Sequence, residues 1–402
     1  MKAKSLVLAG AMLGALSAPA AAGEIDVKIG VLADMSGLYS DIGGAGAVVA
    51  AQMAVEDFKP AEKGMKVAIV SADTQNKPDV AVSIARKWFD AEGVDVVVDL
   101  PTSAISLAVA PLVREKNKVA LFTASASSDI TGKGCTPNGV HWAYDTWALS
   151  HGTAAAITRN GGKTWFFMTA DYAFGQAMER DASAVVVANG GKVLGSVRHP
   201  LDSKDLSSFI LQAQASRAEV IGLANGGGDT INSIKQAAEF GVVQGGQRLA
   251  GMLLFITDIH SLGLQTAQGL ALTTGFYWDL NEKTRAFGER FAKLHGGRYP
   301  SMTQAGTYSS TYAYLQAVKQ LGSPDDGRAV VKALRDAGPI DDPLFGKTTV
   351  RVDGRAVHDM LLVEVKKPEE SKGPFDYYKV ISVIPAAEAF RPLAEGHCPL
   401  VE

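Results

Sequence analysis

Six segments of the chain gather the residues able to do chemistry: DMSGLYSDIGG, LPTSAIS, TASASSDITGKG, TADYAFG, ANGGGDT and FITDIHSLG. They are rich in serine, threonine, glycine and tyrosine, with an occasional aspartate. Small hydroxyl residues beside an open helix N-terminus hold a carboxylate or another anion through neutral hydrogen bonds and free backbone N–H groups. The first segment lies within VLADMSGLYSDIGGAGAVVAAQMA, which runs from an apolar strand through glycines into a helical stretch, as phosphate-binding loops do. Its spacing does not suit a nucleotide. After Gly44 and Gly46 the third glycine of G-x-G-x-x-G falls on Val49, and no Gly-Lys-Ser or Gly-Lys-Thr follows Gly37 or Gly43. Catalytic signatures are missing as well. The sequence has no G-x-S-x-G elbow, and no two of its seven histidines stand at metal-ligand spacing. A non-enzymatic binding role without cofactor or metal is the expectation.

The chain ends bound where such a protein works. The opening MKAKSLVLAGAMLGALSAPAAAGE carries Lys2 and Lys4, an apolar run from Leu6 to Leu16, and small residues ending at Ala22. This pattern predicts a secretory signal peptide over residues 1–22, because the apolar run is well short of the roughly 20 residues that span a bilayer. No cysteine stands at the cleavage point, so a lipid anchor is not expected. Without Lys2 and Lys4 the formal charge moves from −3 to −5, and no basic stripe is visible, which argues against nucleic acid as a partner. Cys135 and Cys398 are the only cysteines, each in loop-like surroundings, and an exported chain predicts a disulfide between them.

Positioning the six segments requires a frame. Strand-like runs alternate with helical patterns: VKIGVLAD, KVAIVSAD, VDVVVDL and VALFTA in the first part, then KTWFFMTAD, KVLGSVRH, AEVIGLAN and LAGMLLFI after a loop region at residues 125–145. This predicts an α/β chain of two doubly wound parallel sheets. The tail, with TTVRVDG, HDMLLVEVKKP and YYKVISVIP, reads as additions to these two units. Every segment of interest follows a strand, and ligands bind at the carboxyl ends of strands in such sheets.

IGVLADMSGLYSDIGG, SASSDITGKG and TADYAFGQ, in this order and within an exported two-part chain, resemble the periplasmic solute-binding proteins of branched-chain amino acid (Leu/Ile/Val-binding) type. The likeness spans essentially the whole mature chain. It implies the type I periplasmic-binding fold: two lobes joined by three crossings, enclosing a solute as they close. One lobe would be residues 23–145 plus 275–350, the other 146–274 plus 351–402.

The resemblance also implies a site. Thr102 and Ser103 match the hydroxyl pair that grips the ligand carboxylate, and Ser125, Ala126 and Ser127 match the next loop, which shares that task. Tyr39 would cover the ligand. The opposite lobe would contribute Tyr172, Phe174, Asn225, Gly226 and Asp258, while Met302 and Thr303 would line the side-chain pocket. The four hydroxyl residues of the first lobe also read as helix N-caps, which is compatible with that role. Trp142, Tyr144 and Trp147 read as hinge or core packing, with Asp145 at the first crossing.

One feature departs from the resemblance. An apolar residue near Leu254 stands where amino-acid binders place a glutamate for the ligand ammonium. Asp258 or Asp171 would have to substitute; otherwise the ligand is an amine-free aromatic or organic acid. The partners implied are a small carboxylate-bearing solute and an inner-membrane ABC permease, for a periplasmic monomer that does not itself span the membrane. A sensor that presents its closed form to a signalling partner is the alternative, and an exported enzyme has no nucleophile or metal signal to support it.

Overall fold

The structure, a computed structural model, describes residues 24–401, so the segment read as a signal peptide lies outside the described residues. The first unit comprises β1 (Ile25–Ala33), α1 (Gly44–Phe58), β2 (Met65–Asp73), α2 (Pro78–Lys87), β3 (Val96–Asp99), α3 (Ser103–Lys116), β4 (Val119–Phe122) and β5 (Gly139–His141). Its strands form one parallel sheet in the order β2-β1-β3-β4-β5. Both faces are covered, as the near-continuous apolar runs require. Val27, Ile29, Val31 and Ala33 of β1 pack into one core with α1, while Leu32 packs into another with α2 and α3. This is the period of two expected of a strand.

The second unit begins with α4 (Thr146–Leu149) and α5 (Ala155–Arg159), joined by a π-helical turn. It continues through β6 (Thr164–Ala170), α6 (Ala173–Ala188), β7 (Lys192–His199), α7 (Ser207–Ala215), β8 (Val220–Ala224), α8 (Gly228–Glu239) and β9 (Arg248–Gly251). A second parallel sheet results, in the order β7-β6-β8-β9. After it come α9 (Ile256–Leu262), α10 (Leu264–Ala267) and β10 (Ala271–Thr274). Pairing of β10 stops at Thr274, where the chain leaves for the other lobe.

Next come α11 (Glu282–Leu294), α12 (Met302–Leu321), α13 (Gly327–Asp336), β11 (Ile340–Asp342), β12 (Gly346–Val350), β13 (Ala356–Val357), β14 (Met360–Val365), β15 (Tyr378–Ile384) and α14 (Ala386–Ala389). α12 packs along α1 in the first lobe's core. β14 and β15 instead join β10 in an antiparallel sheet, and Leu361 and Val363 share a core with Met168 and Leu223 of the second lobe. The chain's last turn then returns to the first lobe, where Cys398 is disulfide-bonded to Cys135.

Three crossings join the lobes: residues 142–145, 275–281 and 351–359. The first and third meet at Arg355, a fully buried arginine. Its guanidinium donates to the carbonyls of Tyr144 at 2.8 Å, Trp142 at 2.5 Å and Ala356 at 3.0 Å, and reaches the Asp145 carboxylate at 3.5 Å. His358 lies against the same Trp142 carbonyl, 3.2 Å away. Burial lowers Arg355 to about 10 and raises Asp145, while their mutual attraction opposes both shifts. A fork of five donors suits this task, since it ties several carbonyls of two strands at one point.

Candidate functional site

Two loops of the first lobe form one wall of a cavity between the lobes. Thr102 is extended and caps α3, its hydroxyl oxygen accepting the Ile105 N–H at 3.2 Å. The cap places Ser103 in the helix's first turn. There its hydroxyl oxygen accepts the N–H groups of Ala126, at 3.3 Å, and Ser127, at 3.0 Å, from the loop after β4. Ser125 pairs through its hydroxyl with Ser106 at 2.7 Å, and Ser127 caps the short turn that follows by accepting the Asp129 N–H. The wall is therefore a self-bonded cradle of hydroxyls and N–H groups at the positive end of a 14-residue helix.

The opposite wall comes from the second lobe. Tyr172 stands at the N-cap of α6 and Phe174 within its first turn, while Leu253 and Phe255 flank the N-terminus of α9. The lobes touch across the gap: the hydroxyls of Tyr39 and Tyr172 are 2.6 Å apart, and the Tyr144 and Phe255 rings meet edge to face at 5.9 Å. Nearer the crossings, Ser128 donates to Asp181 at 2.6 Å, and Arg180 of α6 pairs with Asp129 at 3.1 Å. The cavity is nearly shut, at about 20 Å³, within about 350 Å³ of unfilled space that includes the solvent at its open mouth. Its walls are mostly aromatic and aliphatic and carry no charged side chain.

Of the site residues read from sequence, Tyr39, Ser103, Ser125, Ala126, Tyr172 and Phe174 line this cavity. The others stand behind it. Thr102 and Ser127 act as caps. Asn225 is buried in a network with His199, Thr230 and Ser233 that fixes the end of β8. Gly226 lies beside Leu253 and Phe174, a layer back from the cavity. Thr303 donates to the Ile42 carbonyl and Met302 sulfur accepts from Gly275 at 3.5 Å, so α12 braces the first loop from outside.

Asp258 is turned into its own helix, accepting the Phe255 N–H at 2.9 Å, and burial pushes it up to about 7. Asp171 is half exposed and pairs with Arg198 at 3.5 Å. Neither carboxylate faces the cavity.

Seven lining residues escaped the sequence reading: Ile42, Gly43, Pro101, Ala124, Tyr144, Leu253 and Phe255. Pro101 and Ala124 are immediate neighbours of chosen positions, and Leu253 and Phe255 sit on either side of Leu254. Alternation along an extended segment turns 253 and 255 to the cleft when 254 packs into the core, as Leu254 does.

No histidine, lysine or acid bonds to the hydroxyl of Ser103 or Ser125, so no activated nucleophile is assembled there. No group of three or more His, Cys, Asp or Glu able to hold a metal occurs among the described residues.

Two parallel sheets, three crossings and a small uncharged cavity between the lobes define a two-lobed solute receptor of the periplasmic-binding type. The sequence profile of the periplasmic binding protein family matches residues 26–374, and the chain belongs to that family. It is similar to the crystal structure of a periplasmic binding protein from Burkholderia mallei, with 48% identity and a TM-score of 0.90 over 94% of this chain and 100% of that one. A branched chain amino acid ABC transporter periplasmic ligand-binding protein from Burkholderia xenovorans LB400 is 42% identical, with a TM-score of 0.83 over 94% and 100% of the two chains. A Leu/Ile/Val-binding protein homolog 6 from Brucella melitensis biotype 1 is 24% identical over 340 residues, 83% of this chain and 85% of the relative.

Proposed function

We propose that this receptor binds a small carboxylate-bearing solute between its lobes and passes it, in the closed form, to an ABC permease of the inner membrane. The observation that carries the reading is the cradle at the start of α3. Ser103 and Ser125 present hydroxyls, and the helix presents its positive end, to a cavity with no charged side chain. Such a wall compensates one negative charge without a fixed cation. Aromatic rings from both lobes complete the enclosure, so a ligand touching both favours the closed state over the open one. Thr102 and Ser127 support the cradle, and Tyr39 with Tyr172 closes its mouth. The lobes in this reading are residues 23–145 with 275–350, and 146–274 with the β14–β15 portion of the tail. Export to the periplasm, with residues 1–22 as the signal peptide, belongs to the same proposal.

A thermal-shift screen tests the reading, using aliphatic amino acids, aromatic carboxylates and the amide of each. A ligand at 100 times its Kd stabilises the native state by about 2.7 kcal/mol, which is several degrees of melting temperature. The expected result is a shift with at least one carboxylate and none with its amide. Equal shifts with acid and amide would remove the carboxylate from the account.

A further inference from the structure

Asp99 ends β3, is fully buried, and has no hydrogen-bond partner at either carboxyl oxygen. Among the described residues no other buried carboxyl group is unpartnered at both oxygens. A buried polar group without a partner is costly, and native structures seldom keep one without a reason. The backbone beneath it is also unusual. Asp99 at φ +78° and Leu100 at +58° are consecutive left-handed residues that are not glycine, a strain that recurs at functional sites.

The place of the carboxyl group explains what the strain achieves. A Cβ on Gly43 would lie 2.6 and 2.7 Å from the two Asp99 oxygens, so the carboxyl group abuts the Gly43 Cα. Gly43 is a wall residue of the cavity. Pro101, two residues beyond Asp99, is another, and Ala124, whose N–H donates to the Asp99 carbonyl at 3.1 Å, is a third. The carboxyl group thus lies directly behind Gly43, one layer from the cavity, while the Asp99 backbone joins the wall through Pro101 and Ala124. Other acids nearby are already satisfied: Asp34 accepts the N–H groups of Gly37 at 2.7 Å and Tyr39 at 2.8 Å.

We propose that Asp99 is the counter-charge for an ammonium group on the solute, which enters beside Gly43 while the solute carboxylate rests at Ser103 and Ser125, making amino acids the ligand class. This rests on the carboxylate-binding reading above. It assigns to the first lobe the role that neither Asp171 nor Asp258 is placed to fill.

A protonic consequence follows. The titratable groups acting on this site are Asp34, from the end of β1, and Tyr144, from the first crossing; α1, α12 and β4 bring none, and no lysine, arginine or histidine is among the causes of its shift. Burial, and secondarily Asp34, raise the Asp99 carboxyl to about 8, so it is mostly neutral at pH 7 before the ligand arrives. An ammonium beside it favours the ionised form. A zwitterion enters and the Asp99 proton leaves to solvent, whereas an amine-free acid drives no such release.

The test is calorimetric titration at pH 7 in two buffers of different ionisation enthalpy, with matched pairs that differ only in the amine: leucine with 4-methylpentanoate, and phenylalanine with 3-phenylpropanoate. The expected result is binding of an amino acid with release of close to one proton. Asp99→Asn should lower the affinity ratio of amino acid to amine-free partner at least tenfold. The proton count on the unaltered protein decides the matter even where that variant does not fold. Binding of the amino acid without proton release, or an unchanged ratio in Asp99→Asn, overturns the assignment. Tighter binding of the amine-free acids overturns it too and leaves the carboxylate reading standing. Failure of every carboxylate to bind removes both.

Discussion

Gly227→Ala should weaken ligand binding by obstructing closure rather than by touching the ligand. Gly227 lies in the loop between β8 and α8 of the second lobe, at φ +55° and ψ −132°. A methyl group there would stand 2.9 Å from the Leu38 carbonyl oxygen and 3.0 Å from the Tyr39 ring, both on the first lobe. Carbon contacts are optimal at about 3.5–4.0 Å, so this is an overpacked contact, of the kind that costs about 1–3 kcal/mol. The cost arises only when the lobes are closed. The backbone strain of alanine at positive φ is paid in open and closed states alike and cancels from the binding equilibrium. Affinity should therefore fall about 5- to 150-fold, at 1.4 kcal/mol per tenfold. Calorimetric titration with the tightest ligand of the screen measures it. Gly190→Ala is the control, because it too places alanine at a positive φ, +75°, while no atom lies within 4 Å of the added carbon. An unchanged Kd in Gly227→Ala, or an equal loss in Gly190→Ala, would refute the reasoning.

Arg355→Ala leaves the Trp142 and Tyr144 carbonyls and the Asp145 carboxylate buried without their donor. It should cost about 3–5 kcal/mol of stability in denaturant unfolding; a loss under about 1 kcal/mol would show that the crossings do not depend on it. Replacing both Cys135 and Cys398 with serine opens a bridge between residues 263 apart and should cost about 2–5 kcal/mol, read as a lower melting temperature that reductant no longer changes. With the Asp99 carboxyl raised from 3.8 to about 8, the native state keeps a proton that the unfolded chain has lost. Its contribution to stability therefore falls as pH rises from about 4 to 8, and Asp99→Asn should gain stability relative to the unaltered protein across that window; a difference flat with pH would contradict this.

The frame was legible because its signals are local and repeated. Strands buried on both faces read as apolar runs, and β1 to β4 and β6 to β9 all stand where such runs predict them. The disulfide was legible because two loop-placed cysteines in a chain read as exported have few other fates. The site was legible only in part. Tyr39, Ser103 and Tyr172 belong to segments whose composition marks them, but whether a hydroxyl lines the cavity or turns to cap a helix depends on one rotation of the chain. Thr102 and Ser103 are adjacent, yet the first is used up by the Ile105 N–H and only the second reaches the cavity. Asp99 left no local signal. It ends a run of valines that any buried strand would show, and its importance arises from Gly43, more than fifty residues earlier, closing over it.

Closure around a carboxylate is the centre of the account, and small-angle scattering of the unaltered protein tests it most directly. The radius of gyration should fall on saturation with the carboxylate that gives the largest thermal shift, and should stay at the unliganded value when the amide of the same compound is added at equal concentration. A radius unchanged at saturation would contradict closure, and an equal contraction with the amide would contradict the carboxylate as its cause.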